Sequence, residues 1–189
     1  LDMSIPSAPL FLGIDLGTSR LKLQVIDSQA EPLAEASVPI QMSIPQPGWA
    51  EQQPSDWWGA LVAACAKLFT EGKGAPARIA AVGLTGQMHG AVFLAANGDV
   101  LRPGLIWADG RTAEQVDQIK RILPLAGLIG ITGNAPNTSF TATKIMWVRQ
   151  YEPEVYARTS LLLMPKDYLR YRLTGGRATD VSDASATLL

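Results

Sequence analysis

After a short leader the chain begins a near-continuous apolar run, PLFLGIDLG, which reads as a buried strand. Gly17-Thr18-Ser19 interrupts it. RLKLQVID then alternates, with Leu21, Leu23 and Val25 on one side and Lys22, Gln24 and Ile26 on the other, the period of a second strand. EPLAEASVPI makes a third, and the short connections make the three an antiparallel meander. The period lengthens in PSDWWGALVAACAKLFTEGKG. There Trp58, Leu61, Val62, Cys65, Leu68 and Phe69 recur at helical spacing, Ser55 caps the start, Asp56 suits the first turn and Gly72 follows the end. RIAAVGLTG reads as another buried strand. AVFLAANGDVLRPGLIW carries a hairpin signal at Asn97-Gly98. In the helical stretch RTAEQVDQIKRIL, Thr112 and Gln115 can form a capping box, and Val116, Ile119 and Leu123 share a face. SFTATKIMWVRQY and PKDYLRYRLTGG make two further helices, the second with Pro165 in its opening turn and Gly175 past its end. A strand meander followed by alternating helix and strand predicts an α/β domain with a mixed sheet.

Composition narrows the partners. The 189 residues are 47% hydrophobic, enough for a real core, and the net charge of −1 gives no electrostatic reason to expect nucleic acid. No basic run suggests a membrane surface, and no apolar run reaches the roughly 18 residues a span requires. The single cysteine, Cys65, excludes an internal disulfide framework and fits a reducing compartment, where it reads as a small core residue. LDMSIPSAPL lacks the charged region and apolar core of a signal peptide, so the cytoplasm is the expected location.

Neither G-x-x-x-x-G-K-[ST] nor a strand-following G-x-G-x-x-G occurs, so a P-loop and a dinucleotide fold are unsupported. GIDLGTSR offers another device. Glycine lets backbone come close to a ligand, and successive N–H groups with the hydroxyls of Thr18 and Ser19 can cradle a phosphate. Asp15 directs a carboxylate to the same place, and a Mg²⁺ ion that keeps most of its waters needs little more from the protein. The plain alternative is a hairpin whose turn Asp15 supports. A second candidate is the chain's one histidine, His89, in GLTGQMHGAV, flanked by glycines just beyond a strand. Strand-end loops are where α/β proteins bind ligands, and imidazole offers one donor and one acceptor to a hydroxyl. A core histidine is the alternative.

GIDLGTS resembles the first phosphate motif of the actin-like ATPase superfamily, which includes sugar kinases, 70-kDa chaperones and actin-like filament proteins. GWAEQQPSDWW, AAVGLTGQMHGAVFLAANGDVLRPGLIWADGRT and LLLMPKDYLRYRLTG together resemble the FGGY carbohydrate kinases, in the expected order from about Phe11 to Thr187. The resemblance implies a ribonuclease H-like fold for residues 9–189; residues 1–8, with Leu1-Asp2 before Met3, read as a leader without fixed structure or as an added or processed end. It implies ATP and Mg²⁺ as cofactors, with Gly17, Thr18 and Ser19 at phosphate and Asp15 organising the metal for catalysis. In the family's ketopentose kinases the Met-His pair of QMHG binds the sugar; carried over, that is Met88 and His89, with Gln87 behind them. Met88 can pack against the carbon skeleton. Trp107 in LIWADGR would floor the sugar pocket or be a core residue. Asp109 and Arg111 would bind sugar or pair with each other. Lys166 and Asp167 read as structural, at a helix start.

The family's catalytic base is an aspartate in a G-G-x-D-[NQ]-like segment, and none occurs here. That segment and the adenosine pocket belong to a C-terminal domain absent from this chain, so residues 1–189 alone are expected to transfer no phosphate. The implied reaction is ATP-dependent phosphorylation of a ketopentose, D-xylulose to D-xylulose 5-phosphate first among them. Glycerol, gluconate or ribulose is the alternative substrate. A chaperone-like or filament-forming ATPase and a non-catalytic sugar-binding module are the other classes. The expected partners are a small sugar and ATP, with a homodimer open for the full-length protein, and neither nucleic acid nor membrane.

Overall fold

A computed structural model describes residues 8–70 and 75–189, so the proposed leader up to residue 7 and the Gly72 helix end lie outside the described residues. In chain order the elements are β1 (Leu10–Leu16), β2 (Arg20–Ile26), β3 (Pro32–Pro39), β4 (Glu51–Gln52), α1 (Pro54–Thr70), β5 (Ile79–Gly86), β6 (Val92–Leu94), β7 (Gly104–Leu105), α2 (Ala113–Ile122), α3 (Leu125–Thr132), α4 (Thr141–Tyr151), α5 (Pro153–Arg158), β8 (Leu161–Leu163), α6 (Pro165–Thr174) and α7 (Val181–Ser185). They divide into two compact units, one of residues 1–40 and 57–86, the other of residues 41–56 and 87–189.

The first unit holds a four-stranded mixed sheet in the order β3-β2-β1-β5. The meander is as the alternation predicts: β1 pairs antiparallel with β2 and β2 with β3, while β5 joins β1 in parallel. Leu12, Ile14, Leu16, Leu21, Leu23 and Val25 are buried, and the intervening residues are not. The inward stripe of α1 is Trp57, Ala60, Leu61, Ala64 and Leu68. This differs from the expected face: Trp57 rather than Trp58 is fully buried, Val62 points to solvent, and Cys65 is half-buried, with burial raising its thiol pKa. The expectation of a buried strand at RIAAVGLTG is also corrected. β5 is an edge strand, paired on one side only, and Val82 is 53% exposed. Its apolar run speaks of a strand, but burial depends on neighbours that local pattern does not contain.

The second unit packs Ala91, Phe93, Leu105, Trp147 and Val148 into one cluster, with Trp49, Leu101, Ile145, Val155 and Leu162 against it. β6 pairs with β8, and β4 with β7. Asn97-Gly98 makes the expected tight turn: Gly98 has φ +88°, and its N–H donates to the Ala95 carbonyl. α6 opens on Pro165 and ends at Gly175 with φ +72°, as read from the sequence. The capping box at α2 does not form. The Thr112 hydroxyl instead donates to the Thr138 carbonyl and to Thr143, and Gln115 donates to Gln150, so tertiary partners outcompete the local cap. α3, α5 and α7 carry no strong periodic signal and were not anticipated. No helix among the described residues is long and apolar enough to cross a membrane.

Candidate functional site

In the first unit the β1–β2 turn holds Gly17, Thr18 and Ser19. A side chain on Gly17 would meet the Arg20 carbonyl at 2.9 Å, so glycine is required by the hairpin itself. Gly86, at the end of β5, is likewise pressed against Leu16 at 2.9 Å. Asp15 is half-buried on the uncovered sheet face, across from Lys22 on β2 and Thr85 on β5. With Gly13, Gln24, Ser37 and Gly83 these residues line an open depression of about 720 Å³. Lys22 forms no ion pair with Asp15, and among the described residues no donor lies on its carboxylate. Nor does any group of three or more metal-ligating side chains occur among them. A protein cage for a cation is thus not supplied here. One unpartnered carboxylate beside a glycine turn does suit a hydrated Mg²⁺ held mainly by phosphate oxygens.

In the second unit Gln87 to Gly90 leads into β6. Gln87 is buried, and its amide donates to Gln52 Oε1 at 2.7 Å, while its own Oε1 has no partner. Met88 is 46% exposed. His89 has φ +61°, a left-handed backbone that costs a non-glycine residue on the order of 1 kcal/mol and persists where the surroundings over-determine it. Three constraints do so here. The Thr141 hydroxyl donates to the His89 carbonyl at 3.3 Å. A Cβ on Gly90 would lie 2.5 Å from the Pro165 ring, so the chain passes flush against the start of α6. Ala91 and Leu105 exchange backbone hydrogen bonds. The imidazole meets the Phe140 ring edge to face, centroids 4.8 Å apart, and its buried Nδ1 has no partner. Burial first, then the Lys144 cation, lowers the His89 pKa, with Asp183 opposing. The ring is therefore neutral near pH 7 and offers both a donor and an acceptor.

Trp107 is half-exposed, whereas Asp109 is completely buried. Asp109 accepts from the Ala50 N–H at 2.6 Å, from the Arg111 N–H at 3.1 Å, and from the guanidinium through Nε at 2.9 and 3.0 Å and Nη2 at 2.7 Å. Arg111 also reaches Glu51 at 2.8 Å and lies over Trp49 at 3.7 Å and Trp147 at 4.8 Å. Arg102 joins the set, binding Glu51 at 2.6 Å and Glu152 at 2.8 Å. Of the two sequence readings for Asp109 and Arg111, the structure brings out the pairing, with no carboxylate oxygen left over for a ligand. Lys166 is structural as anticipated, bound to Asp167, Asp180 and Asp183 at 3.0, 2.7 and 2.8 Å, which pins α7 to the start of α6. Its hydrogen bond helps hold the Asp180 carboxyl down at about 2.

Phe140, Thr141 and Lys144 were missed. Lys144 is fully buried, and its ammonium donates to the carbonyls of Thr138, at 3.2 Å, and Ser139. Desolvation drives its pKa down to about 7, with Asp109 opposing and Arg111 assisting. The signal was present: Lys144 precedes Trp147 and Val148 by three and four residues, which puts it on the inward face of α4.

Residues 10–189 match the FGGY family of carbohydrate kinases, N-terminal domain. The chain is 40% identical over 179 residues to the xylulose kinase of Escherichia coli K12, covering 95% of this chain and 36% of that protein. Among solved structures, a kinase from Brucella ovis described as a xyloylose kinase superposes with a TM-score of 0.88 at 38% identity, covering 95% of this chain and 37% of that one. The xylulose kinase from Rhodospirillum rubrum does so with a TM-score of 0.89 at 27% identity, over 95% and 37%. The chain thus spans little more than a third of the length of these relatives, and the α/β fold with its mixed sheet is that of actin-like sugar kinases. With the family match running from the first residue of β1 to the last residue of the chain, this protein belongs to the FGGY family of carbohydrate kinases, as its N-terminal domain.

Proposed function

We propose that this chain is the sugar-holding part of an ATP-dependent ketopentose kinase, and that the whole protein converts D-xylulose to D-xylulose 5-phosphate. The observation that carries the reading is the Gln87–Gly90 segment just past β5, where the half-exposed Met88 adjoins the strained backbone of His89. A polyol offers hydroxyls that both donate and accept, and imidazole has one partner of each kind. Met88 and Trp107, both partly exposed, supply apolar surface for the carbon skeleton. Asp109 serves the same site from behind, by holding Arg111 and the Trp107–Gly110 loop.

In the first unit Asp15 would hold the water shell of Mg²⁺, and Gly17, Thr18 and Ser19 would hold phosphate oxygens. The cation, when bound, supplies charge compensation for the transferring phosphoryl group. The base that takes the sugar hydroxyl's proton would come from outside these residues.

The test has two arms. Residues 1–189 titrated calorimetrically with D-xylulose should bind weakly, and with ATP and Mg²⁺ added should release no ADP. The full-length protein should release ADP faster with D-xylulose than with gluconate, glycerol or ribulose. Sugar-stimulated turnover by residues 1–189 at an ordinary kinase rate, about 1–100 per second, would place the base inside them and overturn the division of labour.

A further inference from the structure

A buried lysine without a carboxylate is an expensive feature. Among the described residues no acid lies within ion-pair distance of Lys144, and its partners are the carbonyls of Thr138 and Ser139. Placing an ammonium in a dry interior costs more than two such hydrogen bonds return, so an apolar side chain of the same length would serve stability at least as well. The cost becomes intelligible from what those carbonyls precede. Phe140 follows them directly and lays its ring edge to face with His89. Thr141 comes next and donates to the His89 carbonyl. The Thr138 carbonyl is shared with Thr112 and Thr143, whereas the Ser139 carbonyl accepts from Lys144, which joins the Ser139 N–H bond to Asn137 Oδ1 in fixing the residue just before Phe140.

We propose that Lys144 is a positioning residue for the sugar site: it fastens the Thr138–Ser139 backbone, which holds Phe140 against the His89 ring and Thr141 beneath the His89 carbonyl. The left-handed backbone of His89 is then kept from relaxing, and its imidazole presents one fixed orientation to a hydroxyl. The two charged groups that influence the imidazole are Lys144 and Asp183, and Asp183 is itself held by Lys166. Lys144 therefore also biases the ring toward its neutral form. The proposal rests on the reading of His89 as a sugar contact.

The single histidine gives a clean readout, because the ¹⁵N-labelled chain has one imidazole. Its tautomer and titration are followed by NMR, D-xylulose is titrated on the same signal, and melting temperature is recorded in parallel. Wild-type signals should move with sugar. Lys144→Met should raise the His89 pKa, mix its tautomers and weaken sugar binding about fivefold or more, the scale of one hydrogen bond, with an unchanged or higher melting temperature. Thr141→Val, which keeps shape and loses only the hydroxyl, should weaken sugar binding in the same direction by less. If Lys144→Met, or Thr141→Val should the former not fold, leaves the imidazole signals and sugar affinity as in wild type, the proposal is overturned and Lys144 merely packs. If sugar never moves the wild-type imidazole while Lys144→Met does, the positioning stands and the sugar role of His89 falls.

Discussion

IDLGTSR and WADGRT each set an aspartate, a glycine and an arginine close together in sequence, and the two stretches come out opposite. In the first, Arg20 leans away to donate to Ser37 at 2.8 Å, and the Asp15 carboxylate is left without a partner among the described residues. In the second, Arg111 folds back onto Asp109 and two tryptophans close over the pair. A carboxylate that has spent its oxygens on the fold is a brace. One held near a strand end with its oxygens unspent is free to serve as the proposed reagent. Residue types in a motif do not separate these cases; the partners do.

The sharpest break of the comparison is Asp109→Ala. It leaves the Arg111 guanidinium and the Ala50 N–H buried with too few acceptors, and should destabilise the chain by about 3–5 kcal/mol in denaturant titrations. Asp15→Ala should change the same measurement by no more than about 0.5 kcal/mol. If the two variants lose equal stability, the distinction between brace and reagent is gone. Asp15→Ala should instead lower turnover of the full-length protein more than tenfold, at least about 1.4 kcal/mol of barrier, with sugar affinity nearly intact. Retention of over a tenth of turnover would make Asp15 a turn residue. His89→Ala should weaken D-xylulose binding up to about tenfold with little loss of melting temperature, since the side chain faces only one ring closely. A large drop in melting temperature with unchanged sugar affinity would return His89 to the core.

A further way to sharpen it is a pH dependence. Desolvation holds Lys144 at about 7 in the folded chain, against an ordinary value of 10.5. Between those values the unfolded chain binds more protons there than the folded one, so the Lys144 contribution to stability rises with pH through that window and is flat below it. Lys144→Met should remove this part of the slope, and identical slopes in both proteins would mean that the ammonium is not desolvated as the structure implies.

Much of the fold was legible. The alternation of Leu21, Leu23 and Val25 states a half-covered strand, and Pro165 and Gly175 bracket a helix, because these signals depend on backbone geometry within a few residues. The candidate site was legible as residue types at a strand end: His89 among glycines, Asp15 before a turn. What was not legible is who meets whom. Asp109 bonds to Ala50 across 59 positions and Arg102 to Glu51 across 51. β5 carries the apolar run of a buried strand and lies at an edge. The Thr112 side chain was expected to cap α2 and was taken up instead by Thr138 and Thr143. Sequence by itself determined the strongly periodic elements and the chemistry available at their ends, since periodicity and turn preference are local. Only the tertiary structure decided which charges are spent and which are free, because burial and pairing are settled by segments that meet in space from distant parts of the chain.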